Sequence, residues 1–178
     1  MVKTFGSLSA CLSLLLVSAI FSTVVNQQPK TEGTTAKGNF GGTWALDKAN
    51  SEGLPPGMDQ LMTVVQTGDK LSLETKLITD QGEQVVPDSY ILDGKEVDFT
   101  PRTPGGQSGK GKRIAKLSAD GNSIEVSEDS TFDTPEGAVN IKATRKWILS
   151  TDGKTLKIEM TIDGPNGKQT IKRTFIKK

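Results

Sequence analysis

Four ionisable side chains fall on stretches that otherwise read as apolar. Arg113 shares a face with Ala115 and Leu117, Glu128 lies between Val126 and Ser130, Arg145 precedes Trp147, and Arg173 sits between Ile171 and Phe175. Alternate residues of a strand share one face, so a strand reading turns all four inward. Three arginines and one glutamate on a buried row leave positive charge that needs a partner, because an unpaired buried charge costs several kcal/mol or more. An anionic ligand group is one source, since arginine grips a carboxylate through two parallel hydrogen bonds. On that reading Arg113, Glu128, Arg145 and Arg173 bind the head of a small amphipathic molecule, and Trp147 and Phe175 line the apolar level beside it. Tyr90, Leu92, Val97 and Phe99 would form the opposite wall, with Leu54 and Met58 across the mouth. The alternative source is internal: Asp88 or another acid completes an ion-pair network, or the guanidinium groups snorkel out of an open end.

Other chemistries find no footing. The chain has no histidine and one cysteine, Cys11, which removes the common hydrolytic triads and zinc sites. No catalytic set, metal-ligand set or cofactor motif can be named. Gly105-Gly106-Gln107-Ser108-Gly109-Lys110 lacks the spacing of a phosphate loop and the Ser or Thr after its lysine.

The N-terminus has the pattern of a secretory signal peptide over residues 1–25: Lys3, then an uncharged apolar run from Ser7 to Val25. The alternative is a retained membrane anchor. Leu8-Ser9-Ala10-Cys11 looks like a lipoprotein box, but the apolar run follows Cys11 instead of preceding it. Removing this segment leaves Lys+Arg 22 − 1 = 21 against Asp+Glu 21. That balance gives no footprint for nucleic acid. Residues 26–37 are polar and read as a flexible linker.

From Gly38 onward, short alternating segments are separated by Gly-containing turns: Gly68-Asp69, Asp80-Gln81-Gly82, Asp93-Gly94, Asp120-Gly121, Pro135-Glu136-Gly137, Asp152-Gly153 and Asn166-Gly167. Asp-Gly and Asn-Gly between alternating runs are strong hairpin signals. Two-residue turns set Leu149 opposite Leu156, Trp147 opposite Ile158, Leu117 opposite Ile124, Arg113 opposite Glu128 and Arg145 opposite Met160. Around Asn166-Gly167 they set Ile162 opposite Ile171, Met160 opposite Arg173 and Ile158 opposite Phe175. A pairing of Glu128 with Arg145 depends on the turn near Pro135. Ala49 to Met58 and Thr100 to Gly111 are too rich in Gly and Pro for strands.

Successive hairpins predict an all-β, antiparallel up-and-down meander over residues 38–178, with about eight to ten strands closing into a barrel to remove the edges. The alternative is a twisted sandwich. The opening strand carries Gly42-Thr43-Trp44 after Phe40. A Gly-x-Trp there resembles the lipocalin-like branch of the calycins, and small exported bacterial proteins that begin Gly-Thr-Trp. The resemblance implies a structural Gly42 and a Trp44 packed at the closed end beneath an arginine, for which Arg173 or Arg145 would serve. It also implies a non-enzymatic, exported barrel for a small hydrophobic ligand. The other reading is a cell-envelope interaction module with a filled barrel. The sequence sets neither the ligand nor the oligomeric state.

Overall fold

The structure is a computed structural model that describes residues 38–103 and 106–178. The expected signal peptide, linker and Cys11 lie outside the described residues. The described chain forms ten strands: β1 (Gly42–Leu46), β2 (Asp59–Thr67), β3 (Lys70–Thr79), β4 (Gly82–Ile91), β5 (Asp93–Phe99), β6 (Lys110–Leu117), β7 (Ser123–Thr134), β8 (Gly137–Leu149), β9 (Thr155–Gly164) and β10 (Gly167–Lys177). The Ala49–Met58 stretch contains no strand; Lys48–Asn50 makes one 3-10 turn there. β6 begins inside the other Gly-rich stretch, at Lys110. No helix among the described residues is long and apolar enough to cross a membrane.

Turn chemistry sets the registers. Leu-Ser-x-Asp-Gly occurs twice and builds the same loop twice. Ser150 N donates to Thr155 O and Gly153 N donates to Ser150 O, both at 2.9 Å. Asp152 Oδ1 accepts from Ser150 Oγ at 2.6 Å and from Lys154 N at 3.0 Å. These bonds, the Ser150 hydroxyl first, hold the Asp152 carboxyl below its ordinary value. Ser118, Asp120 and Asn122 repeat the arrangement. This corrects the expected two-residue turn: the turn bond encloses Thr151 and Asp152, and Gly153 follows at φ 68°. The aspartate's forward bond to the backbone selects that geometry. The register survives, with Leu149 opposite Leu156 and Leu117 opposite Ile124.

Two proline turns move the register elsewhere. Thr134 pairs with Gly137, and Gly164 with Gly167, so Pro135-Glu136 and Pro165-Asn166 are the turn residues. Proline fixes φ near −65° and suits the second position of a turn, not a paired strand position. Each pairing therefore slips two residues from expectation. Phe175 lies opposite Leu156, Arg173 opposite Ile158, and Ile171 opposite Met160. Arg145 lies opposite Val126, while Glu128 faces Ala143. A two-residue slip preserves inside and outside, so every residue expected on an inner face stays there.

All strands join one antiparallel sheet in the order β4-β3-β2-β1-β10-β9-β8-β7-β6-β5. This is a single meander and not a two-sheet sandwich. β1 pairs with β10, Leu46 opposite Phe175, and closes the barrel there. β4 and β5, joined through Leu92, do not pair, so one seam stays open and the expected Asp93-Gly94 hairpin is absent. The inner positions are filled unevenly. Trp44, Phe40, Leu71, Ile124, Leu156 and Phe175 are buried at one end. Further along the same inner faces, Leu73, Leu77, Ile141, Met160, Ile162 and Ile171 are only half-buried. The barrel is a packed base beneath an open half.

The outer face carries an order that the turn signals do not reveal. Lys116, Glu125, Lys146, Glu159 and Lys172 stand side by side across β6 to β10. Lys112, Asp129, Lys142, Asp163 and Lys168 form a second such row. Neighbouring strands thus present opposite charge, each cross-strand pair contributing about 0.2–1 kcal/mol.

A Cβ added at Gly153 would meet nothing within 4 Å, so only the backbone conformation there resists a side chain. Gly153→Val should cost about 1 kcal/mol or more through strain at positive φ, read as a lower urea midpoint. An unchanged midpoint would contradict this loop.

Candidate functional site

Arg113 is the centre of the inner polar cluster, on β6 between the positions of Gly111 and Ala115. Its Nε donates to Glu128 Oε1 at 2.6 Å, directly across on β7. Its Nη1 donates to Asp88 Oδ1 and to Ser89 O on β4, each at 2.8 Å. The guanidinium also lies 4.2 Å from the Phe99 ring centre and 4.6 Å from that of Tyr90. Phe99 fits because its partner in the next strand is Gly111; a Cβ there would sit 2.5 Å from Phe99 Cε1. Arg145 reaches Glu128 diagonally, Nη1 to Oε2 at 2.5 Å. Tyr90 Oη donates to Asp88 Oδ2 at 2.8 Å.

The cluster holds two guanidinium groups and two carboxylates. Its charge is balanced, and Asp88 fills the role for which a ligand anion was one expected source. Burial works against the charge on Arg113, yet Asp88 and Glu128 more than offset it and hold the group above its ordinary value. Arg145 is likewise held up against burial by its surroundings, Glu128 among them. Among the described residues Arg145 makes its one side-chain hydrogen bond through Nη1. Its Nε and Nη2 make no hydrogen bond among the described residues.

Arg173 does not join the cluster. The proline turn lowers it to the level of Ile158, where its Nη1 donates to Lys172 O and to Glu52 O in the Pro-rich segment. Burial pulls its basicity down. The expected single polar level of Arg113, Glu128, Arg145 and Arg173 is therefore staggered and one member short. Trp147 and Phe175 are packed in the base, 2% and 1% exposed, instead of lining an open wall. Trp147 meets Phe40 and Tyr90 edge to face. Its buried Nε1 has no partner among the described residues, an omission that costs about 1–3 kcal/mol. Leu92 is also buried in the base, while Val97 stands at the seam, 37% exposed. Leu54 packs against the core from the Pro-rich segment; Met58 is half-buried nearby in that segment.

Trp44 is fully buried and its Nε1 donates to Phe40 O at 2.9 Å. A lysine, not an arginine, covers it: Lys177 Nζ lies 5.1 Å from the ring centre. Gly42, at φ 134°, leaves room for the Lys177 stem, whose Cε would stand 2.6 Å from a Cβ. Strand alternation sets Lys177 on the face of Arg173 and Phe175, and the β1–β10 pairing then brings it opposite Trp44. Asp88 was easier to find, since it shares the face of Tyr90.

Two shallow depressions of about 290 and 340 Å³ lie chiefly among outward-facing side chains, such as Ser127, Thr144 and Thr161 in one and Thr63, Val65 and Pro87 in the other. They are grooves between outer rows.

Ten antiparallel strands in sequence order, opened by Gly42-x-Trp44 and joined first to last, give the architecture. The fold is a nearly closed, ten-stranded antiparallel barrel. No protein-family model matches the chain, and no curated protein does. Among solved structures it is similar to zebrafish ileal bile acid-binding protein, crystallised with cholic acid, at 22% identity over 78% of this chain and 98% of that one, with a TM-score of 0.47. It is also similar to secretory abundant heat soluble protein 4 from Ramazzottius varieornatus, at 14% identity over 79% and 96%, with a TM-score of 0.48.

Burial pushes the phenol of Tyr90, the only tyrosine, well above its ordinary range. The native state thus keeps a proton that the unfolded chain loses above about pH 10. Stability should be unaffected by this group below that pH and fall as the pH rises past it. Ultraviolet titration should show no phenolate at about pH 11 until the protein unfolds. Phenolate forming with an ordinary midpoint in folded protein would contradict the burial of Tyr90.

Proposed function

We propose that this chain is an exported, non-enzymatic barrel that binds a small amphipathic molecule in its open half. The observation that carries the reading is the half-filled interior: inner apolar positions such as Leu73, Met160, Ile162 and Ile171 remain half-buried while the base is packed. Contiguous apolar surface inside a concavity is what a hydrocarbon body would cover. Arg145 supplies the polar contact, with Nε and Nη2 directed to no partner among the described residues. An anionic or strongly accepting head suits it. The apolar run of residues 7–25 supports export.

The balanced charge of the cluster favours a second reading, an envelope interaction module whose inner charges are purely structural. The two separate on binding. Native mass spectrometry of the exported protein, followed by titration with a long-chain fatty acid, should reveal a bound amphiphile. Arg145→Met should weaken that binding about tenfold or more, the loss of one charge-assisted contact. A wild type that is empty and takes up no amphiphile, with Arg145→Met altering stability alone, would leave the interaction module standing.

A further inference from the structure

The seam between β4 and β5 is closed at its lower end by backbone. Leu92 N donates to Asp69 O at 2.7 Å, and Leu117 N to Leu92 O at 3.4 Å. Beyond Leu92, the two strands diverge without a ladder, and β5 shifts register against β6 between Asp93 and Glu96. Arg113 reaches over this gap from β6. It binds Asp88 and Ser89 O on β4 while stacking on Phe99 of β5. Among the described residues it is the one side chain hydrogen-bonded across the seam.

The free edge of β4 is also kept from pairing. The Ser89 carbonyl faces the seam, since Arg113 reaches it there, and alternate residues of a strand turn their backbone groups the same way. Pro87, two residues earlier, therefore occupies an edge-facing position and offers no N–H. Val86 and Val97, on the inner faces of the two edge strands, are 39% and 37% exposed. A gap with an unpairable edge, apolar flanks and a single side-chain tie is suited to opening.

We infer that the β4–β5 seam is a lateral gate to the open half and that Arg113 is its latch, released through its Asp88 arm. The Glu128 arm stays within paired strands, so the latch can let go of β4 and remain anchored on β7. The gate rests on the pocket reading above; the latch does not.

Asp88→Asn cuts the seam-crossing ion pair and leaves Arg113 paired with Glu128. Amide hydrogen exchange in this variant should accelerate about tenfold in β4 and β5 and stay near wild type in β8 and β9, as a local opening requires. Asp88→Glu, which keeps the carboxylate, should restore most of the protection. Release of bound anilinonaphthalene sulfonate, followed by stopped-flow fluorescence, should quicken in Asp88→Asn and not in Asp88→Glu. Uniform acceleration in every strand, or none, would overturn the latch. Unchanged dye release from a variant whose seam exchanges faster would overturn the gate. If wild type binds neither this dye nor a fatty acid, the pocket reading and the gate fall together, and the exchange pattern still decides the latch.

Discussion

The guanidinium of Arg113, on β6, ties together four other strands: Asp88 and Tyr90 on β4, Phe99 on β5, Glu128 on β7 and, through Glu128, Arg145 on β8. A sheet normally holds its strands by a backbone ladder, and this one lacks a ladder between β4 and β5. The buried arginine spans that discontinuity with directional bonds that an apolar residue could not supply. Desolvation makes such a group costly, and the two carboxylates and a backbone carbonyl offset the cost by satisfying its donors.

Below the cluster the chain behaves as an ordinary small core. Trp44, Trp147, Phe175 and Leu156 interlock, and the outer charge rows of β6 to β10 neutralise each other strand by strand. Above it, the inner faces continue with apolar residues that stay half-buried, among them Leu73, Met160, Ile162 and Ile171. Packing would favour larger side chains there if stability alone were served. The half-buried inner face is where structure and proposed function meet, and Arg145, with two donors unpaired among the described residues, shares that face.

Much of this was legible in the sequence because strand alternation has a period of two and survives register errors. Arg113 opposite Glu128 and Trp147 opposite Ile158 follow from apolar alternation and Asp-Gly loops, and the barrel closure follows from the need to remove sheet edges. Pro135 and Pro165 held the information that moves two hairpins by two residues, and reading Asn166-Gly167 as the turn passed over it. That slip placed Arg173 in a row it does not join. The missing β4–β5 hairpin was harder to see, since Asp93-Gly94 looks like any other turn signal and becomes instead the irregular start of β5. Asp88 was legible as an inner acid from its face, but the Ser89 carbonyl contact joins strands that are not paired, and local pattern carries no record of it.

Arg113 and Glu128 act as one unit in the fold, with Asp88 as the third member. A double-mutant cycle measures this directly: urea unfolding of wild type, Arg113→Met, Glu128→Gln and the double variant. Each single change should destabilise by about 3 kcal/mol or more, because it strands a buried partner. The double variant should recover much of that loss, giving a coupling energy of about 2 kcal/mol or more. Losses that simply add, with coupling below about 0.5 kcal/mol, would show the two side chains to be independent.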